Sequence, residues 1–141
     1  MNEVPATEVA YGGIVFDAAK RVLLRKPANG WGGYAWTFAK GAPDLALDAT
    51  PEQTALREVR EETGVTCEVV SAIPGRYESD TCFTQYFLMR PVNQVPNFDF
   101  ETAEVRWVTI EEAIALITLT TTPKGRKRDL DALAAAIQAS L

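Results

Sequence analysis

Glu58, Glu61 and Glu62 are spaced so that a helix would gather their three carboxylates within an arc of about 100°. They sit in Thr50 to Val65, TPEQTALREVREETGV, where Thr50 reads as an N-cap, Pro51 as the first helical residue and Gln53 as the partner closing a capping box. Gly64 can take the left-handed conformation that ends the helix near Thr63. Ala55, Leu56 and Val59 form its apolar face. Like charges at these spacings repel by a few tenths of a kcal/mol per pair, and each costs about 0.3–1 kcal/mol for crowding the negative end of the helix dipole. One account is a solvated face neutralised by Arg57 and Arg60. The other is a site for a hard divalent cation with oxygen ligands, since local rules are broken where a site requires it.

Composition narrows the chemistry further. The 141 residues contain no histidine, which excludes Ser-His-Asp and Cys-His nucleophile systems, phosphohistidine chemistry and His-ligated zinc. Catalysis would have to rest on carboxylates, lysine, tyrosine or a metal. A net charge of −5 argues against stable nucleic-acid binding and leaves room for a small anionic substrate held through a metal. With 47% hydrophobic and 23% charged residues the chain fits one globular domain, expected over 1–141. No apolar run approaches the roughly 20 residues that span a bilayer, and MNEVPATEVAYGG lacks the layout of a signal peptide, so a cytoplasmic protein without membrane association is expected. Cys67 and Cys82 read as two buried, reduced thiols.

The elements that must position the carboxylates follow from pattern. Residues 8–17 form a strand kinked or closely approached at Gly12-Gly13, a turn follows at Asp17-Ala18-Ala19-Lys20, and Arg21 to Arg25 returns as the second strand of a hairpin. Pro27 to Tyr34 is a glycine-rich loop carrying Trp31 and Tyr34, which either stack on a nucleobase or sugar face or cover the edge of a sheet. Trp36-Thr37-Phe38 is a short strand leading to Lys40, a point charge for a phosphate oxygen or a solvated loop lysine. Thr66 to Ile73 and Thr81 to Arg90 are antiparallel neighbours, and Pro91 to Phe100 is a loop of the kind that overhangs a site. Glu101 to Ile110 ends in a strand followed by a helix to about Ile117. A last helix runs from Asp129, and the basic triplet Arg126-Lys127-Arg128 before it is either solvated or in contact with substrate phosphates or a neighbouring subunit. Strands mixed with about three helices give an α/β fold, a mixed sheet covered on both faces.

Arg57-Glu58-Val59-Arg60-Glu61-Glu62-Thr63-Gly64-Val65 resembles, position for position, the R-E-U-x-E-E-x-G-U half of the Nudix box, U being aliphatic. Upstream the family pattern reads G-x5-E-x7-R-E, and here Ala49 stands where its glutamate belongs. The glycine is also displaced: it would fall on Pro43, whereas the one present is Gly41, a loop two residues longer. In the family that glutamate commonly braces the box arginine, so the resemblance implies either that Arg57 has lost this support or that Asp48 or Asp44 has taken over. Gly12-Gly13-Ile14-Val15, Ala39-Lys40-Gly41 and Glu104 to Ala113 are similar to further family segments.

The resemblance implies a Nudix α/β/α sandwich and a Mg²⁺- or Mn²⁺-dependent hydrolase of diphosphate linkages in nucleotide substrates. Glu58, Glu61, Glu62 and Glu104 would be the metal-site residues, with Glu101 in reserve for Glu104. Glu61 would be a ligand or general base, Arg57 would orient the cluster, and Lys40 would meet phosphate. A nucleotide-binding module without turnover is the rival in another class, favoured by Ala49. Isoprenoid diphosphate isomerisation is opposed by the absence of histidine, and of cysteine between Trp31 and Gly41. The identity of the diphosphate, the number of metal ions and the oligomeric state, a homodimer included, stay open.

Overall fold

The computed structural model describes residues 9–79 and 82–141. The expected strand ends at Glu8 and Thr81, with the N-terminal segment, lie outside them. In chain order the elements are β1 (Val9–Val15), β2 (Val22–Pro27), a run of tight 3-10 turns (Ala28–Gly33), β3 (Ala39–Gly41), α1 (Pro51–Thr63), β4 (Val65–Ala72), β5 (Tyr77–Glu78), β6 (Phe83–Gln94), β7 (Thr102–Val108), α2 (Ile110–Thr118) and α3 (Pro123–Ala139).

A larger sheet runs β3-β1-β6-β4, with β5 also on β6, and a smaller sheet pairs β2 with β7. The β1–β6 pair is parallel and the others are antiparallel, so the sheet is mixed. Side chains alternate across a strand, and here both faces are buried. Ile14, Phe16, Tyr86 and Leu88 join a core with α2 and α3, whereas Val15, Phe87 and Met89 join Ala55 and Val59 of α1 on the other side. The result is the expected sandwich of helices around a mixed sheet.

At Gly13 an added Cβ would lie 2.5 Å from Met89 Sδ and 2.8 Å from Val59 Cγ2. The glycine therefore lets α1 settle directly on β1, which brings its carboxylate face to the sheet edge at β3. Cys67 is buried and Cys82 partly so, both as free thiols.

Four expectations change. The Asp17 to Arg21 turn closes as read, with Lys20 N donating to Asp17 O at 3.0 Å, but β1 and β2 separate into different sheets after one bridge, Phe16 to Val22. The Trp36 to Phe38 segment makes a bridge from Thr37 to Arg25, and the strand proper is Ala39–Gly41. β6 runs through Pro91 to Gln94: Pro91 stands opposite Cys67, and a bulge at Val92 restores the register before Asn93 meets Thr66. Helix α3 also starts earlier than read, at Pro123, where a proline has no helical hydrogen bond to lose.

Candidate active site

Helix α1 is set by its ends. Thr50 Oγ1 accepts from Gln53 N at 3.2 Å, while Gln53 Oε1 reaches one residue further back, to Ala49 N at 2.6 Å. At the other end Gly64 has φ of 80°, and the loop after β6 covers the exposed carbonyls: Val95 N donates to Gly64 O at 3.0 Å and Asp99 N to Glu61 O at 2.8 Å. The same loop carries Phe100 and Glu101 to the mouth of a cleft.

On the acidic face, Arg57 is the hub. Its Nε and Nη2 bind Asp48 at 3.0 Å and 2.8 Å, its Nη1 lies 3.2 Å from Glu58 Oε2 and 3.1 Å from Glu61 Oε1, and Nη2 also donates to Ala42 O at 3.3 Å. A fork held at both tines is fixed in direction as well as charge. Asp48, one position before Ala49, thus braces the arginine, and Thr54 Oγ1 donates to it at 2.9 Å. These hydrogen bonds, the Arg57 bond first, hold the Asp48 carboxyl far below the usual range.

Glu58 and Glu62 face each other within hydrogen-bonding reach. Glu62 is 4% exposed and lies 3.4 Å from Arg25 Nε, yet its Oε1 has no hydrogen-bond partner. Burial, opposed by Arg25 and reinforced by Glu58, pushes the Glu62 carboxyl up to about 9, and burial raises Glu58 too. Gly41 matters here for space, because an added Cβ would sit 2.2 Å from the Glu58 carboxylate. Glu61 stands further out, tied to Arg57. Among the described residues no three acidic or thiol groups converge on one point.

Beside this pair opens a cleft of about 380 Å³ whose lining includes Lys40, Trp31, Tyr34, Glu62 and Arg128. Burial and the charge of Arg128 hold the Lys40 ammonium below its usual range. Trp31 is 69% exposed and runs nearly parallel to Tyr34, with 6.4 Å between ring centroids and 12° between planes. Of the two candidate acids from the end of the chain, Glu101 lines the cleft, and its carbonyl accepts from Arg25 Nη2 at 2.8 Å. Glu104 is placed elsewhere, on the exposed part of β7 with Arg106 Nε 3.1 Å away.

One site feature, Arg25, was hidden in the sequence, and another, Arg128, stood in the basic triplet read as either solvated or in contact with substrate phosphates or a neighbouring subunit. Arg25 reads as an ordinary strand residue, yet it bridges Glu62, Thr102 Oγ1 and Glu101. Arg128 and Asp129 are buried at 3% and 0% exposure; Arg128 Nε donates to Asp129 Oδ1 at 2.9 Å and Thr37 Oγ1 to Asp129 Oδ2 at 2.6 Å. Their signal was Pro123 after Thr122, which starts the helix early and puts 125, 128, 129, 132 and 133 on one stripe facing the sheet.

Comparison with known proteins agrees with this arrangement. The chain is 34% identical to a mutator protein, MutT4, of Mycobacterium tuberculosis, the match covering 74% of this chain and 47% of that protein, so it spans about half that relative's length. Its fold is similar to a NUDIX hydrolase from Nitrosomonas europaea (TM-score 0.76, 16% identity, covering 94% and 89% of the two chains). It is also similar to an ADP-ribose pyrophosphatase from Streptococcus suis (TM-score 0.70, 17% identity, 94% and 91%). The NUDIX domain family itself matches residues 6–130, and with the box helix, its braced arginine and the sandwich around it, the chain belongs to that family.

Proposed function

We propose that this protein is a single-domain, Mg²⁺- or Mn²⁺-dependent pyrophosphohydrolase that cleaves the diphosphate linkage of a nucleoside diphosphate joined to another group. The observation that carries the reading is the buried carboxyl of Glu62, facing Glu58, with no hydrogen bond to its Oε1, on the wall of a cleft lined by aromatic and cationic side chains. Two facing carboxylates, a buried oxygen without a hydrogen bond and a glycine that leaves them room fit a hard cation with oxygen ligands. Glu58 and Glu62 would hold it, with Glu61 alongside. Such an ion, when bound, neutralises phosphate oxygens and lowers the pKa of a bound water.

The chain's own residues do the rest. Arg57, anchored on Asp48, keeps Glu58 and Glu61 at fixed positions along α1. Lys40 and Arg25 place positive charge beside Glu62, where the phosphates of a substrate would lie. Glu61 takes the proton of the attacking water as the phosphorus–oxygen bond breaks, giving two phosphate-bearing products. Trp31, with Tyr34 behind it, offers an exposed aromatic face for a base. The similar Streptococcus suis protein is an ADP-ribose pyrophosphatase, which makes ADP-ribose a first substrate to try. The binding-module alternative drew on Ala49, and Asp48 in the bracing position removes that support. No helix among the described residues is long and apolar enough to cross a membrane.

The test is product release from ADP-ribose, diadenosine polyphosphates, nucleoside triphosphates and oxidised nucleotides, each with Mg²⁺, Mn²⁺ or chelator. Metal-dependent turnover of at least one is expected. Saturable binding without turnover on the whole panel would replace the enzyme by the binding module.

A further inference from the structure

Trp31 and Tyr34 are carried by a segment with little of its own to hold it still. Ala28–Gly33 has no buried residue, and Asn29, Gly30, Gly32 and Gly33 all have positive φ. A chain of that kind loses much conformational freedom on ordering. What fixes it comes from the other end of the sequence. Thr121 N and Oγ1 donate to Gly33 O at 2.9 and 3.3 Å, Thr122 Oγ1 donates to Gly32 O at 2.7 Å, and Ala35 N donates to Thr120 Oγ1 at 3.1 Å.

Just beyond these threonines α3 presents Gly125, a buried position within the helix. Its φ is not among the positive ones, so its backbone would accept alanine, and alanine is the better helix former. Space explains the glycine: an added Cβ would lie 2.6 Å from the Tyr34 hydroxyl oxygen and 2.7 Å from its ring. Arg128, on the same stripe of α3, lies 4.9 Å over the centre of that ring.

We propose that Thr121, Thr122 and Gly125 are positioning residues that seat the Trp31–Tyr34 wall against the cleft and thereby set affinity for the planar part of the substrate, leaving bond cleavage to the α1 face. The proposal rests on the reading of the cleft as a nucleotide site.

Its test compares wild type, Gly125→Ala, Thr122→Val, Thr122→Ser and Gly125→Ala in a Tyr34→Ala background. The measurements are steady-state hydrolysis of ADP-ribose with Mg²⁺, calorimetric binding of AMP, and thermal melting. Gly125→Ala should raise KM and weaken AMP binding about tenfold, the scale of one lost base–aromatic stack, with kcat within about twofold and a melting temperature unchanged or higher. Thr122→Val should act in the same direction and Thr122→Ser should not. In the Tyr34→Ala background Gly125→Ala should add nothing, because its effect runs through that ring. Unchanged KM and AMP binding in Gly125→Ala, a parallel fall of kcat and melting temperature, or an effect that persists without Tyr34 overturns the proposal. If wild type turns nothing over but binds AMP, and Gly125→Ala weakens that binding, the hydrolase reading fails and the positioning role stands; if wild type turns over no member of the substrate panel and does not bind AMP, both fall.

Discussion

Replacing Glu62 by glutamine should make the metal-free protein more stable, and increasingly so as the pH rises. The folded state holds this carboxyl at about 9 against an ordinary 4.5, so between those values the folded protein keeps a proton that the unfolded chain has released. Stability then falls with rising pH across that window and is undiminished below about 4.5. At pH 7, about 2.5 units above 4.5, the penalty is on the order of 3 kcal/mol at about 1.36 kcal/mol per unit. Because Glu58 shares the proton and Arg25 offsets part of the charge, this is a ceiling for the pair.

Glutamine has the shape of the protonated acid and can donate to Glu58 as it does, without the pH dependence. Urea unfolding with chelator at pH 5, 7 and 8.5 should therefore show the two proteins converging at the acid end and the variant ahead by roughly 2–3 kcal/mol at pH 7. Mg²⁺ should raise the melting temperature of wild type and not of the variant, and its uptake should release a proton. A variant less stable than wild type at pH 7, or a gap that does not widen with pH, would refute the claim that Arg25 only partly compensates the burial of this carboxylate.

Other perturbations have equally direct readouts. Asp48→Ala should lower kcat about 10- to 100-fold by releasing Arg57, as loss of an outer partner of a metal site does, and adding Ala49→Glu to it should restore part of the loss in the same assay. Gly41→Ala forces a Cβ into the Glu58 carboxylate, so metal affinity measured by calorimetry should drop at least about tenfold while the circular dichroism spectrum stays that of the wild type. Glu101→Gln should change KM, whereas Glu104→Gln, whose carboxylate pairs with Arg106 on the exposed strand, should leave both kinetic constants within about twofold; the reverse pattern would reinstate Glu104 at the site.

What could be read in the sequence was local. The box helix came out with both ends in place because Thr50, Gln53 and Gly64 act through neighbours in the chain, and the carboxylate face follows from helical geometry alone. Partners distant in sequence were harder. The turn at Asp17 to Arg21 is local and was visible, but whether β2 lies beside β1 or β7 depends on contacts about 80 residues away. Arg25, Arg128 and Asp129 carry the compositional mark of surface residues, and only their packed surroundings make the two arginines part of a cleft and Asp129 the buried support of one of them. Asp48 shows the opposite case: a shorter acid one position earlier reaches the same guanidinium, so the family pattern looked broken where the contact survives.

The early parting of β1 from β2 divides the molecule into two sheets, which the chain joins at the Asp17 to Arg21 corner and again through residues 28–38 and 95–101. Glu58 and Glu62 ride on the helix over the larger sheet, while Arg25 and the approach to Glu101 belong to the smaller one. Under the proposed function, a change of tilt in the small ribbon would carry Arg25 and Glu101 with it, so the width of the entrance and the charge facing Glu62 would shift together.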